Sequence, residues 1–126
     1  HYDVKLDVRL QSEKMSEPQL ICQTNFKHMY WSTLQQLAHH TIAGCNVNVG
    51  DLMASGTISG PEKNQFGSML EITWNGTEPL TLESGEQRSF LEDYDKIIMH
   101  GYASGNGYRI GFGELENQIL PHTEFS

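Results

Sequence analysis

From Tyr2 to Leu10 the apolar residues Tyr2, Val4, Leu6, Val8 and Leu10 alternate with Asp3, Lys5, Asp7 and Arg9, the period-2 pattern of a strand with one buried face. After a polar stretch around Ser12 to Glu17, Leu20, Ile21 and Cys22 read as a second strand, with Pro18 placed where it does not interrupt a ladder. The two form a candidate hairpin. From about Phe26 to Ile42 the period changes: Phe26, Met29, Tyr30, Leu34, Leu37 and Ala38 recur at spacings of three and four, which predicts a helix. Asn25 or Thr24 could cap its start, and Gly44 could supply the left-handed residue past its end.

Beyond Gly50 the pattern is strand-like almost throughout, with runs at Asp51 to Ser55, Ser68 to Trp74, Leu80 to Leu82, Arg88 to Leu91, Ile97 to Tyr102 and Tyr108 to Phe112. Asn75-Gly76, Ser84-Gly85 and Gly105-Asn106-Gly107 separate successive runs, as tight hairpins require. The expected fold is mainly β with one helix, antiparallel, in a single domain over residues 1–126, with no repeat, linker or low-complexity tract.

Composition narrows the function. A net charge of -8 with only 8 scattered Lys and Arg residues argues against a nucleic-acid partner, which needs clustered positive charge. No apolar run is long enough to cross a bilayer, and the N-terminus carries alternating charge where a signal peptide has a continuous apolar segment. A cytoplasmic location is the default expectation. Cys22 and Cys45 are neither a CxxC pair nor a dense framework, so free thiols are expected. Asn75-Gly76-Thr77 matches a glycosylation sequon, but the Asn-Gly turn explains it better. His1 and Tyr2 lead straight into a strand pattern, as in a piece cut from a longer protein.

Two places break the alternation, and such breaks mark candidate sites. In Ser55-Gly56-Thr57-Ile58-Ser59-Gly60-Pro61-Glu62, two glycines let backbone approach a ligand while Ser55, Thr57 and Ser59 offer hydroxyls; an ordinary polar turn is the plainer reading. The second is Glu71. On a strand it shares a face with Met69 and Thr73, opposite Leu70, Ile72 and Trp74. If that face is solvated it is a surface carboxylate; if covered, the carboxylate must be paired, and is then a candidate to orient a histidine or hold a metal.

Other clusters carry less. Glu92-Asp93-Tyr94-Asp95 lacks EF-hand spacing and reads as a solvated connection. The glycines of 105–113 precede no helix, so a bent strand explains them better than a phosphate loop. His39 and His40 are adjacent and point to different sides of a helix, so they do not form a chelating pair. No nucleophile triad is apparent.

Longer segments carry a family likeness. Asn25-Phe26-Lys27 with Met29-Tyr30-Trp31, Leu34-Gln35-Gln36-Leu37, His39-His40 and Gly44-Cys45-Asn46 resemble the C-terminal third of the fumarylacetoacetase family. So do Gly50-Asp51-Leu52, Ala54 through Glu62, Phe66-Gly67-Ser68-Met69-Leu70-Glu71, Gly107 through Gly113, and Leu120-Pro121. The likeness runs from about Tyr2 to Pro121 and favours this family over the related acylpyruvate hydrolases and oxaloacetate decarboxylases.

The resemblance implies an incomplete antiparallel or mixed β-sandwich roll, and cleavage of the carbon-carbon bond of 4-fumarylacetoacetate to fumarate and acetoacetate in tyrosine and phenylalanine catabolism. It implies a Ca2+ or Mg2+ cofactor and a homodimer built in part on the helix with Tyr30, Trp31, Leu34 and Leu37. Position by position, Glu71 falls on the glutamate that orients the catalytic histidine, and Thr57 on a residue that contacts substrate. The catalytic histidine, the metal ligands and most substrate-binding groups of the family belong to segments preceding Tyr2. None of His28, His39, His40, His100 and His122 matches the base, and no metal ligand is expected on this chain. The expectation is a hydrolase part that is inactive alone. The alternatives are a related acylpyruvate hydrolase or decarboxylase and, from another class, a self-contained β-sandwich binding module.

Overall fold

A computed structural model describes residues 2–123. The first two strands, β1 (Val4–Gln11) and β2 (Gln19–Asn25), form the expected antiparallel hairpin, with Val8 opposite Cys22 and a bulge between Val8 and Arg9. On its other side β1 pairs with β5 (Lys96–Gly105), which pairs in turn with β6 (Tyr108–Gln118). The sheet has the order β2-β1-β5-β6 and is antiparallel throughout. A second, two-stranded ribbon joins β3 (Leu80–Thr81) to β4 (Gln87–Arg88). The expected mainly β architecture with one long helix is the one observed.

The turns follow their chemistry. Gly85 and Gly107, in the β3–β4 and β5–β6 connections, have φ of 84° and 81°, values that glycine adopts without steric cost. The pairing of β5 with β6 slips between His100 and Tyr102, opposite the segment holding Gly113 with φ 80°. The glycine-rich stretch is therefore a bulged strand.

Three sequence expectations are corrected. Helix α1 spans Thr33–Ile42 only, while Phe26–His28 is a separate 3-10 turn capped by Asn25, whose side chain accepts from the Lys27 amide at 3.0 Å. The break falls at Ser32, which starts α1 with a reciprocal capping box: Gln35 N donates to Ser32 Oγ and Ser32 N to Gln35 Oε1. Gly44 lies past the end of α1 with φ 88°, as expected. Asp51 to Ser55 forms no strand, and Ser68 to Trp74 is not a strand but holds the one-turn helix α2 (Met69–Ile72). Finally, the acidic connection 92–95 is solvated only as far as Tyr94, because Asp95 is buried.

The core sits where β1 meets the ribbon: Leu10, Met15 and Leu82 are buried, with Ile21, Leu80, Leu91 and Ile97 packed around them. Burying each such side chain contributes about 1.5–3 kcal/mol. Beside it lies a buried ion pair. Arg88 donates through Nε to Asp95 Oδ2 at 2.9 Å and through Nη2 to Asp95 Oδ1 at 3.1 Å, the bidentate geometry that a desolvated charge needs. Hydrogen bonding to Asp95 holds the guanidinium well above its ordinary pKa. Glu86 accepts from the hydroxyls of Ser12 and Ser84, and the first of these is the main cause of a pKa lowered to about 2. Cys22 and Cys45 are free thiols, as expected; burial pushes that of Cys22 up, with Asp7 and Glu71 adding to the shift.

Candidate functional site

Both residues carried over from the family likeness, Thr57 and Glu71, lie around Gly67. Glu71 stands on α2, and the two ends of that turn explain why it is held so firmly. At the start, Ser68 Oγ accepts from the Glu71 amide at 3.3 Å and donates to Glu71 Oε2 at 3.0 Å. At the end, Thr73 is fully buried; its hydroxyl donates to the carbonyl of Met69 or Ser89, at 2.7 and 2.9 Å, and accepts from the Gly76 amide at 3.1 Å. Past Thr73 the chain turns through three left-handed residues, Trp74, Asn75 and Gly76. Two of these are not glycine, and strain of this kind persists only where the surroundings over-determine the backbone.

The loop 55–62 reaches Glu71 from the other side. Ser59 Oγ lies 2.7 Å from Glu71 Oε2 and 3.0 Å from Oε1, and accepts from the Gly67 amide at 3.1 Å. Gly67 packs so tightly on this loop that an added Cβ would fall against the Ile58 carbonyl and within 3.0 Å of Thr57 Cγ2. The loop is closed below by Gly60 N donating to the Gln65 carbonyl at 2.9 Å and Gln65 N to the Glu62 carbonyl at 2.9 Å. Thr57 itself is exposed, at a bend begun by Gly56 with φ 76°.

Glu71 is thus not a free surface carboxylate, and among the described residues it has no ion-pair partner. It is half-buried and receives neutral hydroxyl donors, which leave its charge available to a further partner. The face assignment made on a strand pattern does not survive the helical turn: Ile72 and Thr73 are buried, Leu70 and Trp74 exposed. Sequence reasoning singled out Ser59 only as a loop hydroxyl and gave Ser68 no role. Ser68-Met69-Leu70-Glu71 carries the S-x-x-E spacing of a helix start, the signal that would have found α2 and with it the partnership of Ser68 and Glu71.

Among the described residues no three His, Cys, Asp or Glu side chains come together to hold a metal ion. His39 and His40 are exposed on α1, and His100 contacts Glu114 across the β5–β6 pair. No histidine is hydrogen-bonded to Glu71 among the described residues.

Together these residues form a hydroxyl-clamped carboxylate beside a loop packed tightly on Gly67. The family described as Fumarylacetoacetate (FAA) hydrolase C-terminal matches residues 2–120, and the chain belongs to that family. It is 55% identical to the fumarylacetoacetase of Homo sapiens over 120 residues, covering 95% of this chain and 29% of that protein. It is 50% identical to the fumarylacetoacetase of Dictyostelium discoideum over 122 residues, covering 95% and 29% respectively. With the fumarylacetoacetase of Arabidopsis thaliana the identity is 46% over 121 residues, covering 96% and 28%. The chain therefore spans about three tenths of the length of these relatives.

Proposed function

We propose that this chain is one wall of the active site of a fumarylacetoacetase, a hydrolase that cleaves 4-fumarylacetoacetate to fumarate and acetoacetate in tyrosine and phenylalanine catabolism. The observation that carries the reading is the Glu71 carboxylate, fixed by Ser59 and Ser68 yet free of any ion pair among the described residues. A carboxylate so held orients the imidazole of a histidine supplied by polypeptide outside these 126 residues. That imidazole takes a proton from water, the water oxygen attacks the carbonyl carbon, and the carbon-carbon bond breaks to release a stabilised carbanion, which takes the proton back from the imidazolium to give acetoacetate. Thr57, at the exposed tip of the same loop, contacts the substrate. A Ca2+ or Mg2+ ion bound by residues outside this chain supplies stabilisation for the oxygen charge that develops.

The same reading makes the protein a cytoplasmic homodimer. In support, no helix among the described residues is long and apolar enough to cross a membrane, and α1 with its approach presents Tyr30, Trp31, Leu34 and Ile42 largely exposed.

Two assays test the reading. The native protein is expected to turn over 4-fumarylacetoacetate in preference to acetylpyruvate; the reverse preference would assign it to the acylpyruvate hydrolases. The purified 126-residue chain is expected to be inert, and metal-dependent loss of substrate absorbance with it alone would overturn the assignment of the base and the metal ligands to other segments.

A further inference from the structure

We infer that Ser59 is a positioning residue that fixes the plane of the Glu71 carboxylate and so the direction in which its free oxygen points, an inference that rests on the reading of Glu71 as the group that orients a histidine. The Ser59 hydroxyl has one proton, and its shorter contact is to Oε2 at 2.7 Å against 3.0 Å to Oε1. Ser68 also donates to Oε2, at 3.0 Å. Oε2 thus carries two hydroxyl donors, while Oε1 keeps its lone pairs for a donor from outside the chain.

The direction of the Ser59 proton is itself fixed. The Gly67 amide donates to the same Oγ at 3.1 Å, occupying one of its lone pairs, so the proton is aimed at the carboxylate. The terminal torsion of a glutamate is otherwise broad and its two oxygens are equivalent, so the clamp acts by holding the carboxylate plane and with it the direction of the unclamped oxygen. The clamp also joins parts of the site that lie 12 residues apart in sequence, tying the loop that carries Thr57 to the turn that carries Glu71. Ser68 holds the same oxygen but doubles as the cap of α2, so its loss would combine two effects. Ser59 isolates the one.

The experiment is a double-mutant cycle in the native full-length protein, with kcat, KM and Tm measured for wild type, Ser59→Ala, Ser59→Thr, Glu71→Gln and the Ser59→Ala/Glu71→Gln double variant. Ser59→Ala is expected to lower kcat by about tenfold or more, the loss that goes with a hydrogen bond to a charged group, while KM stays within about twofold, the signature of an interaction spent in the transition state. Ser59→Thr, which keeps the hydroxyl, is expected to restore most of the activity. In the Glu71→Gln background the Ser59→Ala change is expected to cost almost nothing, because its effect runs through the carboxylate. The inference is overturned if Ser59→Ala leaves kcat unchanged, or if it costs the same factor in both backgrounds, with or without a fall in Tm. Wild-type-like turnover by Glu71→Gln would overturn the functional reading itself, an outcome distinct from failure of the clamp alone.

Discussion

Two regions of this chain treat their apolar residues in opposite ways. Where β1 meets the β3–β4 ribbon, Leu10, Met15 and Leu82 are buried and Arg88 and Asp95 close the edge with a desolvated ion pair. Across α1 and β6 no residue is buried, and Leu34, Ile42, Ile110 and Phe112 stand open at 77%, 83%, 55% and 66% exposure. The periodicity is as clear in the second region as in the first. Hydrophobic patterning states that a face is to be covered, not by what. The first region covers its own face; the second leaves its apolar side chains open. The turn that carries Glu71 is anchored to the first region by the Thr73 hydroxyl, which donates to the Ser89 carbonyl beside Arg88.

Substitutions should read out that division directly. The largest effect is expected from Asp95→Ala, which removes the bidentate partner of the buried Arg88 guanidinium and leaves it only the single contacts to Glu86 and Glu92; it should cost about 3–5 kcal/mol of stability, measured by chemical denaturation. Leu10→Ala should cost about 2–5 kcal/mol by leaving a cavity at the centre of the same core. Gly67→Ala should cost about 1–3 kcal/mol through overpacking against the Ile58 carbonyl, and it should also reduce turnover of the native protein by prising Ser59 from Glu71. In the second region, Leu34→Ala in the 126-residue chain should change stability by no more than about 0.5 kcal/mol. A loss as large as that from Leu10→Ala would show that α1 is packed after all and would erase the contrast.

Acid titration sharpens the same comparison. The Glu86 carboxyl is lowered from 4.5 to about 2 in the folded state, first by Ser12 and then by Ser84. Because the folded pKa is depressed, its contribution is complete above pH 4.5 and is lost as pH falls from there toward 2. Ser12→Ala should flatten the stability–pH curve in that window and leave it unchanged at neutral pH apart from a constant offset.

The strands were legible because alternation sustained over many residues fits a strand and little else: β1 from Val4, Leu6, Val8 and Leu10, and the β5–β6 hairpin from Asn106-Gly107. Two short runs misled. Ser68 to Trp74 alternates over seven residues, too few to separate a strand from a helical turn, and the S-x-x-E start at Ser68 was the better guide. The long helix broke at Ser32 for the same reason, its S-x-x-Q box with Gln35 outranking the apolar spacing. Asp95 read as solvated because its partner, Arg88, lies seven residues away across a turn. At the site, breaks in the alternation singled out the 55–62 loop and Glu71, and family likeness gave Thr57 and Glu71 their roles. Their linkage through Ser59 and Gly67 needs the fold, since nothing in the spacing of 59, 67 and 71 brings these residues together.

The claim that Glu71 is the acid–base contribution of this chain is tested most directly by kcat of Glu71→Gln in the native full-length protein acting on 4-fumarylacetoacetate. The account predicts a fall of about a hundredfold or more, the scale of a lost acid–base function, with Tm close to that of wild type. Turnover within about twofold of wild type would contradict it, because no difference in transition-state stabilisation would then pass through that carboxylate.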